Sequence, residues 1–182
     1  EAKLLTNLLG AVDDEGRRIS LHRQLSAALL TLGEWGESIK ECDAIRGAST
    51  ARSNDLVWAM LQTAEALWQA GRFSQAISKY GEVEHELDKE MTAEWLKYSV
   101  SRARQAGQQG NMTDVGGYLT LAERKIGRES CEEDPLYLHT LSGFLLQSSG
   151  YASAKPVIER AIRRAREKRS WNSFVMISGR AS

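Results

Sequence analysis

The chain has 182 residues, 42% hydrophobic and 26% charged, enough to bury one extended core. Its 24 basic and 24 acidic residues cancel, so the total predicts neither general nucleic-acid affinity nor attraction to a membrane surface. Two prolines and sparse Val and Ile argue for helix throughout rather than a large sheet.

Taken in order, residues 1 to 12 carry Leu4, Leu5, Leu8 and Leu9 on one helical face and read as the second helix of a partial repeat. DDEGRR at 13 to 18 is a polar turn with acids placed to cap the next helix. Repeat one spans 18 to 46: a helix over 18 to 32 with Leu25, Ser26 and Leu29 inward, a stop at Gly33, and a return over 35 to 46. GASTARSND at 47 to 55 is a polar connection open to proteolytic nicking, with Asp55 as a helix cap. Repeat two spans 56 to 90. Met60, Ala64 and Leu67 form a stripe of period three to four, Gly71 ends that helix, and Ala76, Tyr80 and Val83 start a second stripe. The charged run at 82 to 90 extends that helix into solvent.

Repeat three, 92 to 127, uses Leu96, Val100, Ala103 and Ala106 and turns at AGQQGN. Gly116 and Gly117 fall inside its second helix, each at a cost of about 1 kcal/mol relative to Ala, so either a neighbouring backbone approaches there or this helix is the weakest. GRESCEEDP at 127 to 135 is a connection. Repeat four, 136 to 169, has helices over 136 to 148 and 152 to 168, and Pro156 sets the start of the latter. Residues 171 to 182 hold the apolar positions of one more first helix.

The frame recurs. Aligned on the small residue early in each second helix, Ser38, Ala76, Val115 and Ala154 are spaced 38, 39 and 39 apart. Seven positions on stand Ile45, Val83, Ala122 and Ala161; three before stand Trp35, Phe73, Met112 and Tyr151. In the central hairpin, Ala64, Leu67, Gly71, Phe73, Ala76, Ile77, Tyr80 and Val83 fall where the tetratricopeptide (TPR) repeat places its small, large, turn and docking residues, so the stretch resembles a TPR unit. The resemblance implies an all-α fold: a right-handed α-solenoid of about four TPR-like repeats over 1 to 182, truncated at both ends. No polar capping helix is evident, which, with Glu1 in place of an initiator Met, suggests a fragment of a longer array or ends that pack on another chain.

Function on such a fold lies on its surfaces, chiefly the concave one lined by first helices. Counting from the stripes directs Ser20, Arg23, Gln24 and Ala27 there from repeat one, and Trp58, Leu61, Gln62 and Glu65 from repeat two. Repeat three supplies Lys97, Ser101 and Arg104; repeat four supplies His139, Thr140 and Gly143. Arg23, Lys97 and Arg104 suit a carboxylate or acidic peptide and Trp58 an apolar anchor; the alternative is that these are solvated residues and Trp58 packs on the neighbouring hairpin. Chaperone-binding TPR proteins hold a terminal carboxylate with two lysines and two asparagines. Arg23 and Lys97 could stand for the basic members, but Ala27 occupies one asparagine's place and Glu65 lies near the other's, so the resemblance leaves peptide binding through the groove open and does not support chaperone-tail binding. The expected partner is a protein or peptide, or further repeats of the same parent chain.

A second candidate surface is the basic helix AKPVIERAIRRAREKRS, with Arg160, Arg163, Arg164, Lys168 and Arg169 outside a stripe of Val157, Ile158, Ala161, Ile162 and Ala165. It suits nucleic acid, an acidic partner or anionic lipid, or is a solvated helix whose cations favour its C-terminal end. The absence of interleaved aromatics argues against nucleic acid. Cys42 and Cys131 stand without CxxC or Cys/His clustering, which predicts no structural zinc and an intracellular, cytoplasmic or nuclear setting. No apolar run approaches the ~20 residues of a membrane span, and no signal-peptide layout opens the chain.

His22, His85 and His139 are far apart, and no GxSxG, phosphate loop, HExxH or dinucleotide turn is present. The sequence therefore predicts a non-catalytic scaffold with no cofactor. A second reading starts from AEWLKYSVSRARQAG, which resembles the Trp-Leu, Ala-Arg, Ala-Gly run of the helical repeats flanking the catalytic domain of phosphatidylinositol-3-kinase-related kinases. That resemblance implies a regulatory segment of a large enzyme, with catalysis outside these residues.

Overall fold

Five times among the described residues a helix stops at a glycine with positive φ: Gly33 (80°), Gly71 (75°), Gly110 (75°), Gly127 (85°) and Gly150 (81°). At the first three the closure is identical. The residue after the glycine returns its N–H to a carbonyl five residues back, Glu34 to Leu29, Arg72 to Leu67 and Asn111 to Ala106, each at 2.9 Å. This bond satisfies an orphan carbonyl of the helix end, and only glycine takes the left-handed step without strain.

The computed structural model describes residues 2–168, and these are all-α. The chain divides after Glu94 into two compact units. The first contains α1 (Ala2–Leu9), α2 (Glu15–Thr31), α3 (Trp35–Gly47), α4 (Ser53–Gln69) and α5 (Phe73–Glu86). Each packs on the next in sequence, and α2 also meets α4. The second is built from α6 (Thr92–Gln108), α7 (Met112–Ile126), α8 (Arg128–Glu132), α9 (Pro135–Ser148) and α10 (Tyr151–Glu167). There α7 meets both α8 and α9, and α9 packs along α10. The short turns within each hairpin leave its two helices antiparallel neighbours.

Inside each hairpin a small pair lets the helices close. Ser26 faces Ser38, and the corresponding positions are Ala64 with Ala76, Ala103 with Val115, and Ser142 with Ala154, all buried. The positions seven beyond the second member, Ile45, Val83, Ala122 and Ala161, are fully buried too. Three of the four three-before positions are not core, while Met112 is half-buried against the core of the second unit. Trp35, Phe73 and Tyr151 are 37, 51 and 57% exposed, although Phe73 lies 4.7 Å from the Trp68 ring.

Several boundaries differ from the sequence expectation, each for a local reason. Helix α2 starts at Glu15, because the Asp14 carboxylate caps the Arg17 N–H at 2.7 Å. Asp55 is the third residue of α4 rather than its cap, and reaches back to the Arg52 N–H at 3.2 Å. The run at 82–90 does not continue as helix into solvent: α5 ends at Glu86, and Met91 is buried. The 127–135 connection contains α8, whose Cys131 is buried. Pro156 does not mark the start of α10, which begins at Tyr151 directly after Gly150; the lost Pro156 N–H bond is offset by burial of Ala154, Ile158, Ala161 and Ala165. On α1 only Leu5 is buried, while Leu4 and Leu8 are exposed. The expected partial repeat at 171–182 and Arg169 lie outside the described residues.

Candidate functional site

The zero net charge conceals a division. Residues 1–94 carry 10 Lys and Arg against 16 Asp and Glu, a net of −6, and residues 95–182 carry 14 against 8, a net of +6. An electrostatic argument from the total alone therefore misses that each unit has its own sign.

In the first unit, Arg23 is engaged on two sides. Its guanidinium donates to the Asp55 carboxylate at 2.9 Å and lies 4.7 Å from the centre of the Trp58 ring. Asp55 also accepts from the Arg52 side chain at 3.4 Å and is almost fully buried. Trp58 in turn rests on Ile19, Cys42, Ile45 and Ala59. Gly16, Ser20, Gln24 and Thr50 complete the lining of a 340 Å³ cleft at this point. Its floor is an ion pair, so a visiting carboxylate must compete with Asp55 for Arg23. Nearby, Glu15 accepts from the Ser49 N–H at 3.0 Å and the Ser49 hydroxyl at 3.1 Å. Hydrogen bonds from Thr50 and then Ser49 hold its carboxyl below the usual range, which ties the start of α2 to the α3–α4 connection.

Of the other expected groove residues on α4, Gln62 and Leu61 are buried rather than surface-lining. Glu65 accepts from the Tyr80 hydroxyl at 3.1 Å and from Gln69 at 3.0 Å.

In the second unit the structure does bring expected residues together. Arg104 on α6 and His139, Thr140 and Gly143 on α9 share a 290 Å³ cavity. His139 and Thr140 are buried, and Ser101 on α6 is buried as well. Lys97 is half-buried on α6 and does not line this cavity. Gln108, Phe144 and Gln147 line it and escaped the sequence reading. Their signal was present: Gln147 continues the four-residue step His139, Gly143, and Phe144 continues that of Thr140.

The basic face of α10 is partly neutralised by α8, the helix hidden in the expected connection. Arg160 pairs with Glu132, and Arg164 pairs with Glu133 and with Glu167. Arg163 and Lys168 are exposed.

Tyr137 carries a buried polar link between α9 and α7, donating its hydroxyl to Glu123 at 2.8 Å. Burial, then that bond, pushes its pKa up. Among the described residues, no cluster of three or more His, Cys, Asp or Glu is placed to hold a metal ion, and no helix is long and apolar enough to cross a membrane. Neither a family model, nor a curated protein, nor a solved structure matches the chain.

Proposed function

We propose that this chain is a non-catalytic scaffold of TPR-like repeats that binds a peptide or partner subunit through the first helices of its hairpins. The observation that carries the reading is the recurrence of one hairpin design: a first helix, a glycine in the left-handed region and a second helix docked through a small buried pair. Repeats of this kind stack side by side and use the surface so formed for binding. Polar side chains converging on α6 and α9 support a partner bearing carboxylates, and the +6 charge of residues 95–182 favours one.

The reading is tested by immobilising the chain and comparing what it retains from a lysate with what the Lys97→Glu, Arg104→Glu variant retains. Arg23 is left unchanged because its loss would strand the buried Asp55. Release of a specific protein by the double variant, at unchanged helicity, is the expected result. Equal retention by both proteins would remove the first-helix surface from the reading.

A further inference from the structure

We infer that the turn end of the first unit is a docking surface for a second copy of this chain, joined by a two-fold contact in which Glu34 of each copy meets Arg72 of the other. The inference goes beyond the scaffold reading. It uses the hairpin turns rather than the faces of the first helices, and either fails without the other.

Among the described residues, six of the seven large hydrophobic side chains left exposed belong to the first unit. Three of them, Trp35, Phe73 and Ile77, join in one ridge. Trp35 stands one helical turn before Ile39 on α3, and Ile39 packs on the Leu67, Trp68 and Ala76 cluster. The Phe73 ring lies 4.7 Å from that of Trp68, and Ile77 stands one turn beyond Phe73 on α5. Monomers rarely leave apolar side chains joined in this way, and interfaces concentrate them. The ridge carries opposite charges at its two ends. Glu34 precedes Trp35 and Arg72 precedes Phe73, the equivalent N-cap positions of α3 and α5, and neither side chain caps its helix. Both are exposed, and among the described residues neither is held by an ion pair or hydrogen bond through its side chain. The neighbouring charges answer one another, Glu37 with Lys40 and Lys79 with Glu82. An acid at one end, a base at the other and apolar residues between them make a surface that complements itself after a two-fold rotation. A partner of one charge would answer only one end of the ridge; a second copy answers both. The net −6 of residues 1–94 opposes the approach of two such units. At about 0.15 M salt the Debye length is about 8 Å, which removes most of that repulsion, and a contact held mainly by apolar burial survives the screening.

The test is sedimentation velocity of the full chain over a range of concentrations, with circular dichroism of every variant as the check on folding. We expect a monomer–dimer equilibrium with a Kd of about 100 μM, as befits a small and transient contact. The dimer should be tighter at about 150 mM salt than at about 10 mM, because screening relieves the repulsion between the two acidic units. Glu34→Arg alone and Arg72→Glu alone should each raise the Kd roughly tenfold, since like charges then meet across the two-fold. Mixed in equal amounts, the two variants should dimerise again, because each supplies the charge the other lacks. That recovery also shows that neither variant lost dimers by misfolding. Phe73→Gln should weaken the dimer by a similar factor at unchanged helicity; should it lose helicity, Ile77→Gln on the same ridge replaces it. A chain that stays monomeric at about ten times the expected Kd, single variants that dimerise as the unsubstituted chain does, or a mixture that stays monomeric would each overturn the inference. So would oligomers that keep growing with concentration, since a two-fold contact closes at two. Association that weakens steadily as salt rises and persists in Phe73→Gln would assign it to attraction between the −6 and +6 units of different copies, and would overturn the ridge as its site.

Discussion

Ser26 and Ser38 meet between α2 and α3 with their hydroxyl oxygens 2.9 Å apart, each also within reach of the other's backbone carbonyl, at 3.0 and 2.9 Å. The next hairpin puts Ala64 and Ala76 in the same two places. The contact therefore has two chemical solutions: a reciprocal hydroxyl pair or two methyl groups. In a mixed pair the remaining hydroxyl keeps its bond to the neighbour's backbone carbonyl and loses only the hydroxyl–hydroxyl contact. Ser26→Ala and Ser38→Ala alone should each cost about 1 kcal/mol in urea unfolding, and the double variant should cost less than the sum by the hydroxyl–hydroxyl contact that both single variants lose. Additive losses would mean the hydroxyls act independently.

Glycines in this chain do opposite things in turns and in helices. Gly71 has φ of 75°, and a Cβ added there would meet nothing within 4 Å. Gly71→Ala should therefore lose roughly 1–2 kcal/mol through the backbone alone. Gly117 lies inside α7 and its Cβ would also meet open space, so Gly117→Ala should gain about 1 kcal/mol. At Gly116 the Cβ would stand 3.2 Å from the Phe144 ring, so that the gain from Gly116→Ala should be smaller or reversed. The neighbour that approaches Gly116 is thus a side chain rather than a backbone. Thermal melts of the three variants check the order, and a destabilised Gly117→Ala would contradict it.

These contrasts show what the sequence could carry. The first three hairpins were legible because a glycine stop and a small residue on each side of it recur at fixed distance, and both are local signals; in the fourth, Gly150 stands one position later. Asp55 was legible only as a capping residue; its burial beneath Arg23 depends on α2 arriving from 32 positions away. The short helix α8 was hidden because GRESCEEDP has the composition of a loop, and it holds its place through buried Cys131 and through Glu132 and Glu133 meeting α10. The first-helix count reached Arg104, His139, Thr140 and Gly143 but also selected buried Leu61 and Gln62. A helical face predicts direction, and only the neighbouring helix decides whether that direction ends in solvent.

The Arg23–Asp55 pair gives a graded prediction. The Asp55 side chain is 5% exposed while those of Arg23 and Arg52 are 33 and 83% exposed. Removing Arg23 leaves a buried carboxylate with only its Arg52 partners, so Arg23→Ala should cost roughly 1–3 kcal/mol, less than a fully buried pair because Arg23 retains solvent. Arg52→Ala keeps the backbone N–H bond to Asp55 and should cost under about 1 kcal/mol. The double variant Arg23→Ala, Asp55→Ala should be less unstable than Arg23→Ala alone. Denaturant unfolding of the three proteins decides it; equal losses for Arg23→Ala and Arg52→Ala would show that the pair contributes nothing beyond its exposed partner.

Alkaline pH should act on α8. Burial, then the negative charges of Glu123, Asp134 and Glu132, pushes the Cys131 thiol up to about 11 from its ordinary 9.0. Below pH 9 the thiol is protonated whether the chain is folded or not, and its contribution to stability is fully present. Between pH 9 and 11 the unfolded chain releases the proton while the folded chain holds it, so stability falls as pH rises. The loss should be on the order of 2 kcal/mol by pH 11. Cys131→Ala should flatten that part of the pH profile relative to the unsubstituted chain, leaving the slope due to Tyr137, whose hydroxyl is shifted in the same direction. The same burial gives a simpler readout. At pH 8 a thiol-reactive disulfide reagent should label neither Cys131 nor the equally buried Cys42 promptly, and denaturant should expose both. Prompt labelling of Cys131 in the folded chain would mean that α8 opens readily from the hairpins on either side of it.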